Sequence, residues 1–129
     1  MALVNQVQKR VKMPKWEIVK FQILTHCYVN NIAMSEADLN CLTLLSFNQP
    51  IELTNFCYDV SSEDEWIFKS PQTVRNSINK AEKKGLIIKD SKNKKMISIN
   101  PTLKIQVEDT ILLDYKFLSY DSKETGEDN

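Results

Sequence analysis

Apolar positions along this chain follow two rhythms, one close to a helical turn and one alternating, and the clearest of each lie side by side between Phe68 and Ile99. Val74, Ile78 and Ala81 recur at i, i+4 and i+7, which at about 100° per residue gathers them on one narrow stripe of a helix. Ser70 offers an oxygen to the free N–H groups at its start, Pro71 takes the first helical position, and Gly85 marks the stop. The opposite face carries Gln72, Asn76, Asn79 and Lys83, flanked by Thr73, Arg75 and Lys80, with Lys84 at the end. Beyond Gly85, residues 86–89 and 95–99 are rich in β-branched side chains and enclose the turn-forming run Asp90-Ser91-Lys92-Asn93-Lys94. The pattern predicts a helix over 70–84 followed by a hairpin with a basic tip.

Upstream, Ser35 followed three residues later by Asp38 predicts a helix start, and Leu39, Leu42, Leu45 and Phe47 supply its apolar side. Pro50 opens a second amphipathic piece, in which Ile51, Leu53, Phe56 and Cys57 can pack on the first. Between it and Ser70 lies an acidic loop with Glu63, Asp64 and Glu65 beside Trp66. Residues 16–29 mix apolar and polar positions without a decisive period; β-branched and aromatic content leans towards a strand in the second half, and a helix is the alternative. Leu3, Val7 and Val11 have helical spacing, while Val7, Val11 and Met13 also fit a strand, and Pro14 ends either one.

Downstream, Asn100-Pro101 ends the basic-tipped hairpin, and Leu103, Ile105 and Val107 alternate with polar residues, as do Ile111, Leu113, Tyr115 and Phe117. This predicts a second hairpin turning at Glu108-Asp109-Thr110. The last stretch, residues 121–129, is polar and acidic, a composition too poor in apolar residues to drive folding.

A capped helix with Ser70-Pro71-Gln72-Thr73-Val74-Arg75 at its start, Lys84-Gly85-Leu86-Ile87 at its end, and a lysine-bearing hairpin to Ile99 together resemble the recognition helix and wing of bacterial and phage winged helix-turn-helix domains. The resemblance implies an α+β fold: a winged-helix core of three helices plus a β-wing, here with an extra C-terminal β-hairpin. It implies a division into an N-terminal extension (1–34), the winged-helix domain (35–101), the C-terminal hairpin (102–120) and the acidic tail (121–129). The loop before Ser70 is longer than the tight turn of the shortest helix-turn-helix motifs, which is a departure from the family pattern. The resemblance also implies double-stranded DNA as partner. Gln72, Asn76 and Asn79 would then face adenine edges, with Thr73 beside them, and Arg75, Lys80, Lys83 and Lys84 would hold guanine or phosphates. Lys92, Lys94 and Lys95 on the wing would contact the DNA backbone or minor groove.

Charge sharpens this expectation. The chain of 129 residues is formally neutral, with 17 basic and 17 acidic residues. Residues 69–104, however, hold ten basic and two acidic residues, a local net charge of +8 balanced by −8 elsewhere. A chain so divided can present one face to a polyanion and another to a basic protein partner or to its own copies. The alternative to DNA binding is therefore a winged-helix module making protein contacts in a phage virion assembly, such as a head-to-tail connector or ring. Enzyme chemistry is not expected: two glycines leave no phosphate-cradling loop, and one histidine, His26, has no nucleophile or metal-ligand spacing around it. Cys27, Cys41 and Cys57 are widely spaced and suggest buried thiols, with neither a disulfide framework nor a zinc site. No cofactor or metal is implied. No run reaches the length of a membrane span, and the polar, basic start of the chain does not resemble a secretion signal. The expected location is the cytoplasm of a bacterial host, or the virion under the alternative.

Overall fold

The computed structural model describes residues 3–5, 13–63, 68–111 and 117–119. The chain divides into two compact units, one spanning residues 13–109 and the other formed by residues 1–12 and 110–129. The larger unit is wider than the 35–101 expected, because a helix before Ser35 and the segment after Pro101 belong to it.

Four α-helices occur among the described residues: α1 (Lys15–Val29), α2 (Glu36–Asn48), α3 (Leu53–Glu63) and α4 (Pro71–Lys83). None is long and apolar enough to cross a membrane. The whole of residues 16–29 is helical, which settles the open choice between strand and helix. Its ambiguity has a physical cause. Val19, Ile23 and Cys27 are buried on the inner side, yet Phe21, Leu24, Tyr28 and Val29 place large apolar groups on the outer side. With apolar residues all round, no single stripe stands out, and the packing of α1 on α2 outweighs the local preference of its β-branched residues.

The start of α2 follows the capping logic, since the Ser35 hydroxyl accepts the Asp38 N–H at 3.1 Å. This helix runs through the middle of the unit and is buried on several sides, with Leu39, Cys41, Leu42 and Leu45 in the core. Two hydroxyls on it spend their donors on the preceding turn: Thr43 Oγ1 on the Leu39 carbonyl at 2.9 Å and Ser46 Oγ on the Leu42 carbonyl at 3.0 Å. The amphipathic piece after Pro50 divides into strand β2 (Ile51–Glu52) and then α3.

The two strands after Gly85 are β3 (Ile87–Lys89) and β4 (Met96–Ile99). β4 lies between its two neighbours, pairing antiparallel with β2 (Ile51↔Ile97, Glu52↔Met96) and with β3 (Ile87↔Ile99, Lys89↔Ile97). The unit is therefore α+β, with helices over a small three-stranded antiparallel sheet. Phe56 and Val60 of α3, Val74 and Ile78 of α4, and Ile97 and Ile99 of β4 close one core with α1 and α2.

The hairpin expected over 102–120 is corrected by two findings. Residues 101–103 form a 3-10 turn and residues 104–107 are not a strand. The alternation is nonetheless real, because Leu103 is buried and Ile105 and Val107 pack against the core. The backbone of Gln106 finds a substitute for a neighbouring strand in one side chain: its carbonyl accepts Gln22 Nε2 at 2.9 Å and its N–H donates to Gln22 Oε1 at 2.8 Å. In the smaller unit, strand β5 (Phe117–Ser119) pairs antiparallel with β1 (Leu3–Asn5), so Phe117 takes its partner from the start of the chain. Expectations on Val7 and Val11, on the acidic loop residues Asp64, Glu65 and Trp66, on Leu113 and Tyr115 and on the tail fall outside the described residues.

Candidate nucleic-acid interface

Local chemistry fixes both ends of α4. Ser70 Oγ accepts the Thr73 N–H at 3.3 Å, and Thr73 Oγ1 returns a bond to the Ser70 carbonyl at 2.7 Å. At the far end Gly85 adopts φ +77°. Its N–H donates to the Glu82 carbonyl at 3.0 Å, and the Leu86 N–H to the Ala81 carbonyl at 3.0 Å. This is the paired closure of a Schellman motif, with Ala81 and Leu86 both buried beneath it. Asn100 then ties the helix end to the end of the β3–β4 hairpin, its Nδ2 donating to the Gly85 carbonyl at 2.9 Å and its N–H to the Leu86 carbonyl at 2.9 Å. The direction in which the hairpin leaves the helix is thereby set.

Val74, Ser77, Ile78 and Ala81 form the buried side of α4. The residues assigned to DNA contact separate into three groups around it. Gln72, Asn76, Asn79 and Lys83 lie along the exposed line opposite the core. Gln72 Nε2 donates to Asn76 Oδ1 at 2.9 Å, which orients two neighbouring carboxamides. Asn79 and Lys83 make no side-chain hydrogen bond or ion pair among the described residues.

The flanking cations have protein partners. Arg75 is half-buried and donates to Thr54 Oγ1 of α3 at 3.2 Å. On the other flank Lys84 Nζ donates to the Ala33 carbonyl at 2.6 Å, and Lys80 Nζ pairs with Asp38 Oδ2 at 3.0 Å. Thr73 belongs to the cap. At the hairpin tip Lys92, Lys94 and Lys95 are exposed. The loop carrying them is shaped by Asp90 Oδ1 accepting the Lys92 N–H at 3.0 Å and Asn93 Oδ1 accepting the Lys95 N–H at 3.1 Å. Lys89, at the end of β3, pairs with Glu82 at 3.4 Å.

Sequence reasoning gave Asp38 a place in the first turn of α2 and missed its larger part. The carboxylate is buried, 6% exposed, and joins α2 to α4: Ser77 Oγ donates to Oδ1 at 2.6 Å while Lys80 holds Oδ2. Burial pushes its pKa up. Hydrogen bonds from Ser77, Lys80 and Ser35 and the Lys80 charge outweigh burial and hold the group below its ordinary value. Nothing local signals this tie, because 39 residues separate Asp38 from Ser77. Beside it, burial pushes the Cys41 thiol up to about 12. Cys27 and Cys57 are also buried and free, with thiols raised by burial.

The surface thus combines a polar line on one helix with a cluster of exposed lysines on the adjoining hairpin, whose side chains have no hydrogen-bond or ion-pair partner among the described residues. No family model, curated protein or solved structure matches the chain. Among the described residues no group of three or more His, Cys, Asp or Glu side chains is placed to hold a metal ion.

Proposed function

We propose that this chain is a non-enzymatic winged-helix protein that binds double-stranded DNA, of the kind used in transcription or replication control. The observation that carries the reading is that α4 turns a line of carboxamides and one lysine to solvent while the wing beside it ends in three exposed lysines. The element order from α2 to β4, with β2 and β3 on either side of β4, is compatible with a winged helix and supports it. In this reading Gln72, Asn76 and Asn79 face base edges, while Lys83 and the wing lysines neutralise phosphates. Arg75, Lys80 and Lys84 hold the helix in place through Thr54, Asp38 and Ala33, and contact DNA from its flanks. Fluorescence anisotropy with a mixed-sequence duplex tests it: the folded protein binds at low salt, and Lys83→Glu weakens binding. Absence of binding by the folded protein would refute it.

A second reading, a winged-helix module for protein contacts in a phage virion assembly, is favoured by the outer side of α1, where Leu24 is 48% and Tyr28 84% exposed. Sedimentation of the purified chain separates the two. A ring component assembles without DNA, whereas a DNA-binding regulator needs no ring.

A further inference from the structure

The helix α4 presents to solvent a particular chemistry, one set by which of its side chains are already engaged. Arg75, Lys80 and Lys84 have protein partners at 3.2, 3.0 and 2.6 Å. The outermost line therefore consists of three carboxamides and a single ammonium, with no carboxylate among them. A carboxamide presents one donor and one acceptor side by side, which matches the N6 donor and N7 acceptor of adenine in the major groove. Guanine shows two acceptors there and calls for a guanidinium or ammonium, and cytosine shows a donor and calls for a carboxylate. Of these complements the outermost line offers only Lys83.

Resting on the proposed DNA binding, we infer that α4 selects duplex sites by adenine, at A·T pairs read by Gln72, Asn76 and Asn79. From Gln72 to Asn79 the helix rises about 10 Å, close to three base-pair steps at about 3.4 Å each. The bond from Gln72 Nε2 to Asn76 Oδ1 uses one of the two lone pairs on Oδ1. It leaves the other lone pair and both Nδ2 protons of Asn76, and Gln72 Oε1, unused among the described residues at two exposed positions. The pair is thus oriented before a base arrives, which lowers the ordering cost of binding. Asn79 reads its base alone. Lys83, at the end of the line, sets position through a phosphate and carries no base information.

The test is selection of bound duplexes from a random-sequence pool, followed by titration of the enriched site and of the same site with 7-deazaadenine in place of adenine, which lacks the N7 acceptor. Asn76→Ala and Asn79→Ala, both at exposed positions, are titrated in parallel, with circular dichroism confirming the fold. The expected result is enrichment of a site with adenines spread over about four consecutive base pairs, that is about three base-pair steps. A loss of roughly tenfold should follow for each 7-deaza substitution or each Asn→Ala change, with the salt dependence unchanged. Enrichment of G·C-centred sites, or tight binding with no enrichment, would overturn adenine reading and leave DNA binding standing. Failure to retain any duplex would overturn DNA binding itself and this inference with it.

Discussion

Replacing Asp38 by alanine tests the packing that holds α4 in place. The buried carboxylate accepts Ser77 Oγ at 2.6 Å and Lys80 Nζ at 3.0 Å. Removing it leaves the Ser77 hydroxyl, 3% exposed, without its acceptor. A hydrogen bond to a charged group is worth about 1.5–3 kcal/mol. Lys80 has a side chain 58% exposed, so water screens its share, which is discounted to under about 1 kcal/mol. The negative charge in the first turn of α2 adds about 0.3–1 kcal/mol. A destabilisation of about 3 kcal/mol results, which lowers the urea midpoint by about 2 M at an m-value near 1.5 kcal/mol/M. Asp38→Asn keeps an acceptor for Ser77 and loses less. In a double-mutant cycle with Ser77→Ala the coupling reaches about 1 kcal/mol or more. Strict additivity, or a loss below about 0.5 kcal/mol for Asp38→Ala, would refute the reasoning. The pH dependence has a fixed sign. Because the folded pKa of Asp38 is depressed, its contribution is fully present above the unfolded value of about 3.9. It is lost as pH falls from there through the folded value, and Asp38→Ala removes that part of the acid sensitivity.

Three further outcomes follow from single sites. Gly85→Ala meets no atom within 4 Å of the added methyl, so its cost is conformational, about 1–2 kcal/mol in thermal or urea unfolding, and Gly85→Asn costs less. Asn40 Oδ1 is buried without a hydrogen-bond partner among the described residues, and Asn40→Leu should raise stability by about 1 kcal/mol, read as a higher urea midpoint. The thiols of Cys27, Cys41 and Cys57 are buried, with Cys41 pushed up to about 12. Labelling by a disulfide reagent near neutral pH should therefore proceed at the rate of opening or unfolding, and denaturant should accelerate it.

What could be read from the sequence was local. The start of α4 at Ser70-Pro71, its stop at Gly85 and the turn between β3 and β4 rest on contacts a few residues apart, and the cap at Ser35 is of the same kind. The exposed line on α4 followed from helical periodicity alone. Whatever depends on distant partners stayed hidden. The apolar residues surrounding α1 concealed its helix, and the alternation after Pro101 suggested a strand when its backbone partner is the Gln22 side chain. The partner of Phe117 lies at Asn5, more than a hundred residues earlier. At the candidate site itself, charge and spacing identified Arg75, Lys80 and Lys84 as cations on the helix. Their engagement with Thr54, Asp38 and Ala33 depends on tertiary packing and has no signature in local sequence.

The most direct test of the proposed DNA binding by α4 and the β3–β4 hairpin is the dependence of duplex affinity on salt, compared between the native chain and a variant with Lys92, Lys94 and Lys95 all changed to alanine. Each phosphate contact contributes about 0.9 to the slope of log K against log salt. Native protein that binds tightly at low salt, with a slope that falls by about 2.7 in the variant, is the predicted result. An identical slope in both proteins, or no binding by folded native protein at low salt, would contradict it.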